Sequence, residues 1–252
     1  MAANIDVAFI MCSLNDDFNL NRIERYLALV NEAECEAVII LTKADLVDDC
    51  VQKQALVQAL DPQLNVEVIN CCDDKANEQL APWLKPQTSI VLLGSSGVGK
   101  STLSNTLLGG SVQTTGAIRE QESKGRHTTT SRHLLMLESG AVIIDTPGMC
   151  ELQLADVTYG IEATFKDIET LSNNCKFADC CHTTEPACAV RMAIELGELS
   201  ERRFLNFQKL RKENQFNTAS LQERRALDKS MSKYYKRTQS QAVKLKRLDK
   251  MN

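Results

Sequence analysis

The sequence predicts an α/β protein in which a mostly parallel sheet carries helices on both faces. In the first half of the chain, short apolar runs alternate with segments of helical periodicity, the pattern of parallel strands joined by crossover helices. One glycine-rich loop, residues 94–101, lies between such a run and such a segment. Beyond about residue 155 the pattern is helical. We therefore predict an α/β domain over residues 1–155 and a mainly helical domain over residues 156–252.

The elements follow one another in a regular order. The apolar runs predict strands over residues 5–14, 37–41, 66–69 and 89–93, then a hairpin over 134–137 and 141–144. Helices are predicted over residues 20–31, 51–60, 75–84 and 101–108. Asn19 is placed to cap the first helix, and the second ends before Asp61-Pro62 because the residue before proline disfavours helix. Residues 109–126 are polar and without period, which predicts a long loop.

The glycine-rich loop has the spacing of a phosphate-binding loop, with Gly94 and Gly99 followed by Lys100 and Ser101 between a strand and a helix. Glycines let backbone N–H groups turn toward a phosphate, and the helix N-terminus adds partial positive charge. We expect Lys100 to bridge the β- and γ-phosphates and Ser101 to bind Mg²⁺. The alternative is an ordinary glycine-rich turn, which the surrounding strand and helix disfavour.

A second phosphate-sensing segment, Asp145-Thr146-Pro147-Gly148, follows the predicted hairpin. Asp145 is expected to hold Mg²⁺ through water, and the Gly148 N–H to meet the γ-phosphate. One of Thr128 and Thr129 is expected to close on Mg²⁺ when the γ-phosphate is present. The sequence leaves the choice between them open, and Thr129 is the one assigned to Mg²⁺ here.

The residue after Gly148 is Met149, where many switch GTPases carry a glutamine that orients the attacking water. A thioether cannot orient water, so another group is needed. His127, in the loop before the threonines, is the candidate. The alternative is a histidine that faces solvent or bonds the backbone. We expect slow intrinsic turnover that a partner accelerates.

Thr42-Lys43-Ala44-Asp45 follows a predicted strand, where a base-reading loop belongs. The Asp45 carboxylate can accept two hydrogen bonds from guanine N1 and N2, which selects GTP over ATP, and the Lys43 stem can cover the ring. Thr42 stands where this motif usually has asparagine, and a hydroxyl replaces only part of an amide's bonding. We expect weakened but preserved guanine binding. The alternative is a surface turn.

The base-reading segment precedes the phosphate loop, whereas in an ordinary switch GTPase it comes last. The order predicts a circularly permuted P-loop GTPase domain. The predicted catalytic residues are Lys100, His127, Thr128 and Thr129, and the predicted Mg²⁺ ligands are Ser101, Thr129 and Asp145. The predicted GTP-binding residues are Thr42, Lys43, Asp45, Asn70, Cys71, Gly94, Ser95, Ser96, Gly97, Val98, Gly99, Lys100, Ser101, Thr102, Asp145 and Gly148.

Four of the ten cysteines fall within residues 175–188. Cys175, Cys180, His182 and Cys188 offer three thiolates and one imidazole, a closed set suited to one structural Zn²⁺. Cys181 lies between these ligands and is not expected to be one, although an exchange with Cys180 stays open. The alternative is a group of free buried thiols, but so small a loop needs a cross-link to be stable.

Basic and acidic residues are distributed unevenly along the chain. Residues 201–252 hold 15 Lys/Arg and 5 Asp/Glu, while the whole chain has a net charge of −4. An acidic body with a basic tail favours a polyanionic partner such as RNA, and the alternative is a solvated helix face. The N-terminus lacks the features of a signal peptide, and no apolar run is long enough for a membrane span. We expect a cytoplasmic monomer.

The chain resembles the RsgA (YjeQ) family of circularly permuted, ribosome-associated GTPases. The resemblance rests on the motif order, on residues 17–20, 25–27 and 125–130, and on the Cys/His set of residues 175–188 with Glu185-Pro186 before Cys188. It implies GTP hydrolysis stimulated by the small (30S) ribosomal subunit, late maturation of that subunit, and rRNA binding. The family normally begins with an OB-fold barrel, whereas this sequence begins at the GTPase motifs; we expect a truncated sequence or a shortened member.

Two functions therefore compete. The first is a GTPase that assists maturation of the small subunit. The second is a nucleotide-gated RNA-binding module with little turnover or with a non-ribosomal RNA target, which Met149 and the missing barrel favour.

Overall fold

The computed structural model describes residues 4–73, 75–110, 133–145 and 153–219. Six strands in these ranges form one sheet in the order β3-β2-β1-β4-β6-β5. All pairs are parallel except β5 with β6, so the predicted mostly parallel sheet is confirmed. The strands are β1 (Val7–Ser13), β2 (Glu36–Thr42), β3 (Asn65–Val68), β4 (Ser89–Leu93), β5 (His133–Met136) and β6 (Val142–Asp145).

Eight α-helices are found in the described residues: α1 (Leu20–Glu32), α2 (Cys50–Gln58), α3 (Lys75–Leu80), α4 (Lys100–Leu107), α5 (Thr158–Thr164), α6 (Lys166–Ser172), α7 (Ala189–Glu195) and α8 (Glu201–Thr218). Asn19 caps α1 as predicted, accepting hydrogen bonds from two backbone N–H groups. The third helix ends four residues earlier than predicted. Pro82 disfavours helical backbone at Ala81, and a turn replaces the last helical turn. None of the described helices is both long and apolar enough to cross a bilayer.

Apolar side chains form one cluster on each face of the sheet. Successive residues of a strand point to opposite faces, so Ile10 joins the cluster that contains α1, and Phe9 joins the one that contains α3 and α4. The α1 cluster continues without a break into Phe165 and Phe207 of the C-terminal helices. Residues 154–210 thus share a hydrophobic core with the sheet, and a domain boundary near residue 155 stays a prediction.

A buried ion cluster fixes α1 against α6 and α8. Glu24 is 0% exposed, and its carboxylate accepts hydrogen bonds from Arg202, Arg203 and Asn206 at 2.6–2.9 Å. Arg203 also bonds both carboxylate oxygens of Asp167 at 2.8 Å. A buried charge is tolerated only when it is paired and hydrogen-bonded, so this cluster specifies how the C-terminal helices sit on α1.

Helices α1 and α5 approach each other at Gly160. A Cβ atom placed there would lie 1.9 Å from the Ala28 carbonyl oxygen and 2.8 Å from the Glu32 nitrogen. The Gly160 N–H donates to the Glu32 carboxylate at 2.7 Å. No side chain fits this contact without moving backbone.

Gly160→Ala is expected to lower the free energy of unfolding by about 3 kcal/mol or more, because the two helices must separate. Urea denaturation followed by circular dichroism measures it. Gly110→Ala is the matched control: a Cβ there meets nothing within 4 Å, and we expect a change below about 0.5 kcal/mol. Equal stability of the two variants would contradict the tight α1–α5 contact.

Candidate nucleotide-binding site and metal centre

Five strands of the sheet are parallel: β1, β2, β3, β4 and β6. Their carboxyl ends therefore lie at one edge of the sheet. The base-reading segment follows β2, residues 70–72 follow β3, the phosphate loop follows β4, and Asp145 ends β6. The fold therefore brings the predicted nucleotide-binding segments together, although they are far apart in sequence.

The phosphate loop has the backbone that its glycines permit. Gly94, Gly97 and Gly99 have φ angles of 154°, 76° and 105°, values that other residues rarely adopt. A Cβ at Gly94 would lie 2.6 Å from the Met11 carbonyl oxygen. Lys100 is only 8% exposed, and its Nζ donates to the carbonyls of Gly94 and Ser95, each at 2.8 Å. The loop thus holds a buried ammonium group beside glycines whose backbone can turn N–H groups toward a phosphate.

Two oxygen donors suited to Mg²⁺ flank this loop. Asp145 is 1% exposed and lies in register with Leu92 on the neighbouring strand. Ser101 stands in the first turn of α4, beside Thr102. Carboxylate and hydroxyl oxygens at the ends of adjacent elements fit the ligand preference of Mg²⁺. His127, Thr128, Thr129, Gly148 and Met149 lie outside the described residues, and their roles stay predictions.

The base-reading segment is tied directly to the phosphate loop. Thr42 is 0% exposed, and its Oγ1 donates to the Val98 carbonyl at 2.7 Å. Lys43 has a left-handed φ of 60°, and Asp45 lies exposed in a short 3₁₀ turn, Ala44–Leu46. The Thr42 hydroxyl proton is used within the protein, which leaves the Asp45 carboxylate as the group open to a base.

Residues 70–72 brace the same region from β3. The Cys71 thiol packs against the phosphate loop, since a Cβ at Gly99 would lie 3.3 Å from its Sγ. Burial, with the nearby charges of Cys72 and Asp45, raises the pKa of Cys71 to about 12, so the thiol stays protonated. Thr106 of α4 donates to the Cys71 carbonyl at 2.6 Å. The predicted GTP-binding residues Asn70 and Cys71 therefore belong to a segment that is held on α4.

The sequence does not predict that Asp17 contacts the phosphate loop, and this residue enters the sequence analysis only through the family resemblance. The Asp17 carboxylate accepts a hydrogen bond from the Ser95 hydroxyl of the phosphate loop at 2.5 Å. Asp17 follows β1, and only the strand order places β1 between β2 and β4. No spacing rule in the sequence carries that information.

The predicted metal ligands converge. The donor atoms of Cys175, Cys180, His182 and Cys188 all lie within 4.8 Å of one another. His182 Nδ1 is 3.6 Å from Cys175 Sγ and 3.4 Å from Cys188 Sγ, and these two sulfurs are 3.9 Å apart. Zinc bonds of about 2.3 Å to sulfur and about 2.0 Å to nitrogen, in a tetrahedron, require roughly these separations. The four side chains therefore fit a tetrahedral ion.

The surroundings of the cluster favour metal binding and identify its members. The Cys181 thiol is exposed and bonds the Asp179 carbonyl at 3.6 Å, so Cys180, not Cys181, belongs to the cluster. His182 Nε2 lies 3.2 Å from the Ser172 hydroxyl, which orients the ring. Burial lowers the pKa of His182 and so favours the neutral imidazole that a metal binds.

Comparison with known proteins gives a consistent result. The RsgA GTPase family model matches residues 1–155. The small ribosomal subunit biogenesis GTPases RsgA 2 of Vibrio parahaemolyticus and Vibrio vulnificus are 54% and 51% identical; the alignments cover 92% and 98% of this chain, and 65% and 70% of those proteins. The homologous RsgA of Mesorhizobium japonicum is 50% identical over 86% of this chain and 64% of its own length. The chain thus spans about two thirds of the length of these relatives.

Two solved structures are similar in fold. The crystal structure of YjeQ from Thermotoga maritima has a TM-score of 0.58 and 26% identity, and the alignment covers 82% of this chain and 70% of that one. YloQ, described as a circularly permuted GTPase, has a TM-score of 0.57 and 27% identity over 86% of this chain and 70% of its own. The predicted circularly permuted GTPase fold is confirmed.

Thr42→Val is expected to lower the free energy of unfolding by about 1–2 kcal/mol, because the buried Val98 carbonyl loses its donor while side-chain volume is kept. Denaturant unfolding without nucleotide measures the loss. Thr88→Val, a threonine outside the site, is the control. A Thr42→Val variant as stable as the parent would contradict the tie between the two loops.

Cys188→Ser is expected to reduce bound metal from one equivalent per chain to none, because a hydroxyl is a poor zinc ligand. Cys181→Ser, the matched control at the exposed neighbouring thiol, should keep one equivalent. Elemental analysis after dialysis measures both. Loss of metal from Cys181→Ser alone would contradict the ligand set.

Proposed function

Because the chain belongs to the RsgA GTPase family, we propose that it binds GTP with Mg²⁺ and hydrolyses it to GDP. The observation that carries the proposal is the buried Lys100 ammonium in a glycine-lined loop, joined by Thr42 to a segment that exposes Asp45. A phosphate cradle and a guanine-reading carboxylate are thereby held as one unit.

Each group has a defined part in the proposed reaction. Asp45 accepts hydrogen bonds from the guanine ring, and the loop N–H groups with Lys100 neutralise the phosphates. Ser101 and Asp145 would hold Mg²⁺, which supplies further positive charge when bound. His127 is the proposed group that orients the attacking water, and one of Thr128 and Thr129 the one that closes on the γ-phosphate side.

We propose that the partner is the small ribosomal subunit, in agreement with the names of the curated relatives, and that the chain assists its late maturation. The charge on α8 supports a contact with rRNA. Lys209, Arg211 and Lys212 are exposed along this helix, and Phe177 is 40% exposed beneath the Lys176 ammonium. Cations neutralise phosphates and aromatic rings stack on bases. The basic segment over residues 233–250 lies outside the described residues.

The Cys/His cluster is proposed to hold one structural Zn²⁺. Three sulfurs and one nitrogen leave no position for a substrate, so the ion would stabilise the loop between α6 and α7. We propose that the chain acts as a monomer in the cytoplasm, where ribosomal subunits are assembled.

The competing proposal is a nucleotide-gated RNA-binding module with negligible turnover. Met149, in the place of a water-orienting glutamine, is the observation that favours it.

GTP turnover measured with and without purified small ribosomal subunits decides between the two. The GTPase proposal predicts slow basal turnover that rises at least about tenfold with subunits, by analogy with partner-stimulated GTPases. Absence of both stimulation and co-sedimentation would leave the competing proposal.

Lys100→Ala is expected to weaken GDP and GTP binding by at least about 100-fold, because a buried cation that pairs with the phosphates is lost. Lys85→Ala, at an exposed lysine before β4, is the matched control and should bind as the parent does. Fluorescent nucleotide titration measures both; equal affinities would overturn the assignment of the phosphate loop.

A further inference from the structure

Asp17 makes a contact with the phosphate loop that none of the nucleotide-binding motifs includes. Its Oδ2 accepts two hydrogen bonds, one from the Ser95 hydroxyl at 2.5 Å and one from Arg22 Nη1 at 2.7 Å. Hydrogen bonds to a carboxylate are shorter and about twice as strong as neutral ones. Ser95 is therefore anchored to the connection between β1 and α1.

Ser95 is held at both of its polar ends. Its hydroxyl bonds Asp17, and its carbonyl accepts a hydrogen bond from Lys100 Nζ at 2.8 Å. The residue is 7% exposed, so it has little freedom to turn. Asp17 thus holds the Ser95 side chain, and the backbone carbonyl of the same residue holds the Lys100 ammonium that we expect to meet the phosphates.

The connection that carries Asp17 has hydrogen bonds of its own. The Asp17 N–H donates to Asn15 Oδ1 at 3.3 Å, and the same oxygen accepts from the Ser13 hydroxyl at 2.8 Å. Arg22 stands on α1, which the Glu24 ion cluster fixes against α8. These contacts hold Asp17 in place, and the phosphate loop is bonded to it through Ser95.

We propose that Asp17 is a positioning residue for nucleotide binding, which orders Ser95 and Lys100 before the phosphates arrive. The proposal rests on the nucleotide site proposed above. A loop already ordered in the free protein does not have to be ordered on binding, which improves affinity. The Arg22 guanidinium balances the Asp17 charge, so the carboxylate does not repel the phosphates.

Ser95→Ala removes the donor and leaves the Asp17–Arg22 pair in place. We expect faster amide hydrogen exchange over residues 94–100 in the nucleotide-free protein, and dissociation constants for GDP and for a non-hydrolysable GTP analogue that rise about tenfold. Asp17→Asn should act in the same direction. In the double variant the two effects should fall well short of their sum, because both substitutions weaken the same Ser95–Asp17 hydrogen bond. Ser95→Thr, which keeps a hydroxyl, should restore most of the affinity.

Asp16→Asn is the matched control, since it removes the same charge from the exposed neighbour. It should change neither loop exchange nor affinity. Unchanged exchange in both Ser95→Ala and Asp17→Asn would overturn the proposal, and so would faster exchange with unchanged dissociation constants. Failure of the unsubstituted chain to bind either nucleotide would instead overturn the proposed nucleotide site, and exchange in the free protein would still report whether Asp17 orders the loop.

Discussion

The site depends on one constraint, the alignment of parallel strands whose carboxyl ends meet at a single edge. The chain runs from β1 outward through β2 to β3. It then crosses to β4 on the other side of β1, forms the edge strand β5, and returns to β6 beside β4. Between β1 and β4 the direction of strand order reverses, and open α/β sheets bind their ligands at such a point. The phosphate loop follows β4 and Asp17 follows β1, so these two segments flank the point at which the strand order changes direction. The permuted order of the motifs leaves this geometry intact because strand position, not chain order, determines which loops meet.

Hydrogen bonds join the loops at this edge of the sheet to one another. Thr42 bonds Val98 and Asp17 bonds Ser95, so the base-reading segment and the β1–α1 connection both contact the phosphate loop. Helix α1 also contacts the C-terminal helices. Its Arg25 pairs with Glu213 of α8, and its Glu24 pairs with Arg203. The connection that carries Asp17 and the C-terminal helix α8 therefore both contact the first half of α1.

Much of the fold and site could be predicted from the sequence, because the features concerned are local. The alternation of strands and helices, the Asn19 cap, the glycine loop between a strand and a helix, and the convergence of the four Cys/His side chains depend on spacing along the chain. The roles of these residues in binding nucleotide and metal stay predictions. The RsgA family resemblance is confirmed. The structure also brings Cys180, and not Cys181, to the other three side chains, which spacing could not predict because the two residues are adjacent.

The features that the sequence did not predict depend on contacts between segments that are far apart in the chain. The role of Asp17 requires the strand order, and the continuous core from the sheet to Phe207 requires the packing of α1. The sequence predicts weakened guanine binding from Thr42, which stays a prediction, and it gives no sign that the Thr42 hydroxyl donates to the Val98 carbonyl. A single sequence carries no signal for such pairings, since each residue type is also common on surfaces and in cores.

The most direct test of the account is calorimetric titration of the chain with GDP and, separately, with ADP in the presence of Mg²⁺. Asp45 and the phosphate loop predict one saturable site for GDP and no measurable binding of ADP. Equal binding of the two nucleotides, or binding of neither, would contradict the claim that this edge of the sheet recognises a guanine nucleotide.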